Sequence, residues 1–295
     1  MNFHQNAVLK TGNTPGATVL PQAVIPGYAR NCWEMFYSRP VEYREKLAYL
    51  SAAFRMSFDS SNPPFVFAGD IQSPGSKILA FGLAPHAARE KPRGDLLEEH
   101  RWRLAYFEQE AVPHGLHRYF AKLLRGVMEP APSSAQFDAR WLRHNGYAAF
   151  DLLPFYVKDW RTPDWEKAEV MEVVKSHFSE CLNLVAGADV RLAVFSGKPW
   201  QELLVGGDSP PRLGGFRSQR SFLLRDVTAI PRHSFRISLG TLAVADRPIP
   251  AVVVGALLHQ IRTFGYARAE ALGAGIRSAL AGAASEREVR NKASQ

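Results

Sequence analysis

Four short apolar runs, each closed by glycine or aspartate, constrain this chain more than any other feature. They are Lys77–Gly82, Tyr147–Asp151, Arg191–Gly197 and Pro250–Gly255. Segments with apolar residues at three- and four-residue spacing lie between them. Apolar strands alternating with helices imply a parallel sheet covered on both faces. The expected fold is therefore α/β: a three-layer α/β/α sandwich with a central, mostly parallel sheet. In such sheets ligands gather where strands end. The first run ends in Gly82-Leu83-Ala84-Pro85-His86. Gly82 is expected to supply a backbone conformation closed to other residues, and Pro85 to stiffen the turn.

Along the chain, residues 1–25 are polar with scattered Gly and Pro and read as an extended arm. Residues 26–284 read as one α/β domain, and residues 285–295 as a charged tail. Helical spacing covers Pro40 to Phe58, stopped by Pro63-Pro64. Phe65–Ala68 reads as a short strand. Asp95 reads as an N-cap opening a helix to Glu110, and a second helix follows Pro113. Residues 165–185 form a long helix, Trp200 starts another, and Tyr266 to Leu280 a last one. Residues 205–248 read as irregular, Arg-rich and hairpin-like.

The formal net charge of the 295 residues is +8, with 46% hydrophobic and 22% charged positions. A field of that sign favours nucleic acid, an acidic membrane surface or an anionic substrate. Two cysteines, Cys32 and Cys181, supply neither a disulfide framework nor a cysteine-held cluster. No run approaches the ~20 apolar residues of a membrane span, and no secretory leader is evident. A cytoplasmic, reducing location follows as the expectation.

Two ionisable side chains stand at strand ends. Asp151 directly follows Ala148-Ala149-Phe150. A carboxylate there either caps a loop or pairs with Arg, or it faces a ligand with hydrogen-bond donors. His259 lies past Gly255 with Arg262 and Thr263 close by, before a glycine and a helix start, where a phosphate would be favoured. His114 and His117 share a helical face with nothing to complete a metal set, and read as structural. Ser196-Gly197-Lys198-Pro199 lacks the glycines and the Ser/Thr of a Walker loop, and no Gly-x-Ser-x-Gly elbow is present. Arg212, Arg217, Arg220, Arg225 and Arg232, interleaved with Phe216, Phe222 and Phe235, either track a phosphate backbone or form a solvated hairpin.

Taken in order, these pieces resemble the uracil-DNA glycosylase superfamily over roughly residues 75 to 280. Gly82-Leu83-Ala84-Pro85 is similar to its first motif, in the branch that reads Gly-Leu-Ala-Pro-Ala-Ala. The strand ending at Asp151 is similar to the second, where many members carry an Asn that reads the uracil edge. Val194–Gly197 is similar to the apolar strand before a helix, and His259 to the His that stabilises charge on the departing base. The loop after it corresponds to the minor-groove wedge, with Ile261 and Phe264 as wedge candidates beside Arg262. Leu83 and Ala84 cannot position water, and the last motif is reduced to His259-Gln260-Ile261.

The resemblance implies a monofunctional DNA glycosylase without metal or other cofactor. It would act as a monomer on DNA, with no membrane partner. Asp151 and His259 would be its catalytic residues, and Gly82, Leu83, Ala84, Pro85 and His86 its base pocket. Arg89, Lys91, Arg93, Lys198, Arg217, Arg262, Ile261 and Phe264 would bind DNA. Asp151 and Glu90 are the candidates for positioning water. An ionised Asp only accepts hydrogen bonds, whereas Asn also donates. Cytosine offers an amino donor where uracil has a carbonyl. Asp151 therefore points to a cytosine-type base, and a modified one, since unmodified cytosine would be a dangerous target. Such an enzyme would serve DNA repair or defence against foreign, modified DNA. An ordinary uracil glycosylase, an inert DNA-binding module on the same fold, and a small-molecule enzyme with incidental basic charge are the alternatives.

Overall fold

The computed structural model describes residues 27–65, 67–69, 71, 75–85, 94, 98, 101–102, 115–128, 138–207, 209–223, 235–257 and 265–293. In chain order the elements are α1 (Gly27–Ser38), α2 (Pro40–Phe54), β1 (Ala68–Gly69), β2 (Ser76–Gly82), α3 (Gly115–Met128), α4 (Asp138–His144) and β3 (Tyr147–Asp151). Then follow α5 (Ala168–Leu184), β4 (Asp189–Ser196), the helical turn α6 (Lys198–Trp200), a π-helical turn (Gln201–Val205), β5 (Phe216–Leu223), β6 (Arg236–Val244), β7 (Arg247–Val254) and α7 (Tyr266–Ala293).

The seven strands form one mixed sheet in the order β1-β3-β2-β4-β7-β6-β5. The centre is parallel, β3 and β4 flanking β2 and β7 lying beyond β4. β1, β6 and β5 pair antiparallel at the two sides. The four apolar runs are thus the four parallel strands, and they are adjacent. Their composition follows from burial on both faces. Leu79, Phe81, Ala148, Phe150, Phe195 and Val253 join one core with residues of α1, α2 and α5. Ile78, Ala80, Ala149, Val194, Val252 and Val254 join a second with residues of α3 and α7. Successive residues alternate between the two cores, as a pleated strand requires. In the first core Phe81 stacks on Phe195, with ring centroids 4.4 Å apart.

Helix α2 bears out the periodicity, burying Tyr43, Leu47, Leu50 and Phe54. α3, α5, β4 and β7 fall on the expected segments. Several readings need correction. The strand at Phe65–Ala68 is only Ala68–Gly69. Residues 205–248 are not irregular: they hold β5 and β6, and β6 buries Ile237, Leu239 and Leu242. Prolines in β7 disguise this sheet extension. Pro248 and Pro250 pair with Ala243 and Thr241 of β6, and pairing with β4 begins only at Ala251. They thus occupy the stretch with a neighbour on one side, where a missing N–H is tolerated. α1, with Cys32 and Trp33 buried, was not anticipated. α7 runs on to Ala293, so the charged segment from 285 continues a helix. The arm of residues 1–25, the helix opened at Asp95 and the loop of residues 130–134 lie outside the described residues. Among the described residues, no helix is long and apolar enough to cross a membrane.

Candidate functional site

The parallel strands end together. Gly82 is in register with Asp151, Phe81 with Phe195, and Ser196 with Val254. Asp151, Gly82, Ser196 and Val254 therefore form one row across four carboxyl ends. The chain leaves β2 for β3 on one side and returns to β4 on the other, so the gap between β2 and β4 is a topological switch point. Such points open a crevice outside the strand ends in doubly wound sheets.

Backbone bonds extend this order past the sheet. Leu152 N–H donates to Gly82 O at 3.2 Å, Leu153 N–H to Leu83 O at 2.9 Å, and Val157 N–H to Pro85 O at 2.9 Å. The loop after β2 is thereby zipped to the segment after β3. Trp200 Nε1–H, fully buried, also donates to Gly82 O at 2.6 Å.

Gly82 is not there for its backbone conformation: it is absent from the glycines with positive φ. It is there for space. A Cβ on Gly82 would overlap Oδ1 of Asp151 and lie 3.4 Å from its Cγ and 3.5 Å from Leu116 Cδ2. The Asp151 carboxylate thus lies across the end of β2, on the face that carries α3. Asp151 is 7% exposed. The glycine that does need its conformation is Gly197, with φ +129°. A Cβ there would stand 2.7 Å from Leu83 Cδ2. The turn after β4 and the loop after β2 therefore pack closely, by two different uses of glycine.

Behind Asp151, from the face of α5, His177 is buried and donates from Nε2 to the Asp151 carbonyl oxygen at 3.1 Å. Burial holds its imidazole down to about 4, so it is neutral near pH 7. Cys181 Sγ lies 3.6 Å from the same nitrogen, and burial pushes its thiol up. This cysteine is an inert core residue rather than a nucleophile.

An open cleft of about 290 Å³ lies on the other side of Leu83. Leu83, Pro199, Ala256 and Leu257 supply apolar walls from the loops after β2, β4 and β7. Trp160, half-buried, closes one side, with Thr162 and Lys198 at the rim. Lys198 is 78% exposed, with Glu202 3.3 Å away on the next turn. Asp151 does not line this cleft: along the strand ends, the side chains of Asp151 and Leu83 alternate to opposite faces.

Of the residues expected at the site, Gly82, Leu83, Ala84, Pro85, Asp151 and Lys198 come together. Arg217 does not. It pairs with Thr241, which pairs with Pro250, on the far edge strand. Four strand spacings put it roughly 19 Å to the side, and four residues roughly 13 Å below the row of strand ends. Arg212 serves the fold, bonding Glu166 and the Trp165 carbonyl. His117 is structural as expected, its Nδ1 3.1 Å from the buried Tyr147 hydroxyl. His86, Arg89, Glu90, Lys91, Arg93, His114, His259, Ile261, Arg262 and Phe264 lie outside the described residues. Sequence reasoning missed Trp160, Thr162, His177 and Trp200. The first two sit in Trp160-Arg161-Thr162-Pro163, a polar and aromatic loop between a strand end and a helix, which is where site residues concentrate. The other two are contacts across elements, with no local signal. Among the described residues no three His, Cys, Asp or Glu side chains group as a metal set. Comparison with protein-family models and with curated proteins finds no match.

Proposed function

We propose that the chain is a monofunctional DNA glycosylase that extrudes a cytosine-type base, most suitably a modified one, and hydrolyses its N-glycosidic bond. The observation that carries this reading is the Asp151 carboxylate, nearly buried and laid across the side-chain-free end of β2 at the switch point of the sheet. The two cores on opposite sheet faces would be the interfaces of a three-layer α/β/α sandwich. The four strands that carry the resemblance are the four adjacent parallel ones, so the motifs share one edge.

The steps follow from residue chemistry. Basic side chains hold the phosphates, and unstacking the target base costs a few kcal/mol. The ionised Asp151 accepts from the exocyclic amino group of the cytosine ring and repels a carbonyl at the same place. As the bond from C1′ to the base breaks, positive charge builds on the sugar and negative charge on the base. His259 stabilises the departing base. Water adds to C1′, its proton is lost, and an abasic site remains.

The test is an abasic-site assay on labelled DNAs carrying uracil, cytosine or C5-modified cytosines, followed by alkaline cleavage. The expected result is cleavage confined to a modified cytosine and abolished in Asp151→Ala. Cleavage at uracil alone would keep a glycosylase and remove the cytosine argument. An Asp151→Asn protein with an unchanged base preference would remove Asp151 as the reader of the base. Salt-sensitive DNA binding with no product from any substrate would favour an inert binding module.

A further inference from the structure

We infer that the cleft beside Leu83 holds one unpaired nucleotide next to the extruded base, so that the protein prefers single-stranded DNA. This inference rests on the DNA reading given above.

Three observations meet here. The cleft opens at the carboxyl ends of β2, β4 and β7, one residue away from Gly82 and its contact with Asp151. A strand whose base reaches Asp151 must therefore pass it. Its walls are the chemistry of a base-sized ring: the half-buried indole of Trp160 on one side, Leu83, Pro199 and Leu257 on the others. Its rim carries a hydroxyl from Thr162 and the exposed ammonium of Lys198, both suited to a phosphate oxygen. Lys198 has Glu202 nearby, but an exposed i,i+4 pair holds its cation only weakly and leaves it able to turn. The volume, about 290 Å³, is at the small end of ligand clefts, which start near roughly 300 Å³, and so suits one ring rather than several.

Strand preference follows from which surfaces a base offers. In a duplex both faces of each base are covered by stacked neighbours. A cleft with an aromatic wall contacts a face, so it takes only a base that has left the stack. Stacking on an aromatic side chain accepts any base, since every base has a π-face. The cleft would thus add affinity without adding sequence preference, beside a site that does select its base.

The test uses the full chain and a single-stranded oligothymidine with one 2-aminopurine, alone and annealed to its complement. No substrate base is present, so binding is read apart from catalysis. The expected result is tighter binding of the single strand, with 2-aminopurine fluorescence quenched at one position. Trp160→Ala should weaken single-strand binding roughly tenfold, the scale of losing one base–aromatic stack, and remove the quenching. Trp160→Phe should retain both within about threefold. Ala256→Trp, which fills the cleft and leaves Trp160 in place, should match Trp160→Ala; it keeps the test valid if Trp160→Ala fails to fold. Unchanged single-strand binding in Ala256→Trp and in folded Trp160→Ala would overturn the inference and leave the DNA reading intact. Wild-type protein that binds neither form of DNA would overturn both.

Discussion

Asp151 and Gly82 share one volume at the end of adjacent parallel strands: the carboxylate of the first occupies the place where a side chain on the second would stand. Gly82→Ala should therefore expel the carboxylate. We expect a loss of about 1–3 kcal/mol in urea unfolding, in the range of overpacked sites. Asp151→Ala should relieve the clash, so the double variant should be more stable than the two single losses sum to, with coupling on the order of 1 kcal/mol. Additive losses would mean that the carboxylate moves aside freely.

Trp200 fixes the same strand end from the opposite core. Its indole N–H donates to Gly82 O from a fully buried position. Trp200→Phe keeps an aromatic ring but removes the donor. A cost of about 1–3 kcal/mol is expected from the lost bond and the smaller ring. Equilibrium unfolding of this variant, with native near-ultraviolet dichroism as the control, measures it.

His177 makes stability depend on acid. Its imidazole titrates at about 4 in the fold because burial disfavours the charged form, against 6.5 unfolded. The unfolded chain therefore binds the extra proton first. Stability from this residue is fully present above pH 6.5, falls as the pH drops toward 4, and levels off below. The total is about 3 kcal/mol on the usual conversion. His177→Gln keeps a donor to the Asp151 carbonyl and has no such titration. Its unfolding free energy should lose this portion of the slope between pH 6.5 and 4, while wild type takes up one more proton on unfolding. Parallel pH profiles for the two proteins would contradict the assignment.

Gly126 of α3 and Gly273 of α7 let two helix backbones touch. A Cβ on Gly126 would stand 2.9 Å from Gly273 Cα, and one on Gly273 2.8 Å from Gly126 Cα. The obstacles are backbone atoms, which cannot rotate away. Beside them Arg125, its side chain fully buried, reaches Glu270 at 3.3 Å. Gly273→Ala must part the helices and disturb that pair. We expect a loss of about 2–4 kcal/mol, above an ordinary Gly→Ala change in a helix, which stabilises by roughly 1 kcal/mol. A thermal midpoint at or above that of wild type would show that the helices adjust.

The sequence by itself determined the parallel centre of this protein. Continuous apolar runs such as Lys77–Gly82 and Tyr147–Asp151 read as strands because burial on both faces selects against polar residues at every position. It also marked Asp151, since a carboxylate after an apolar run is costly unless something uses it. Local pattern failed where structure depends on a neighbour. β6 and the start of β7 look irregular in sequence, because Pro248 and Pro250 are acceptable only in a stretch lacking a partner on one side. Arg217 carries the right charge, yet strand order alone puts it on the far edge. Tertiary structure also decided what Gly82 is for. Sequence suggests an unusual backbone, and the fold uses the absent side chain, because Asp151 arrives from a strand nearly seventy residues later. Trp160, His177 and Trp200 reach the site in the same way, through distances that close only when the sheet is assembled.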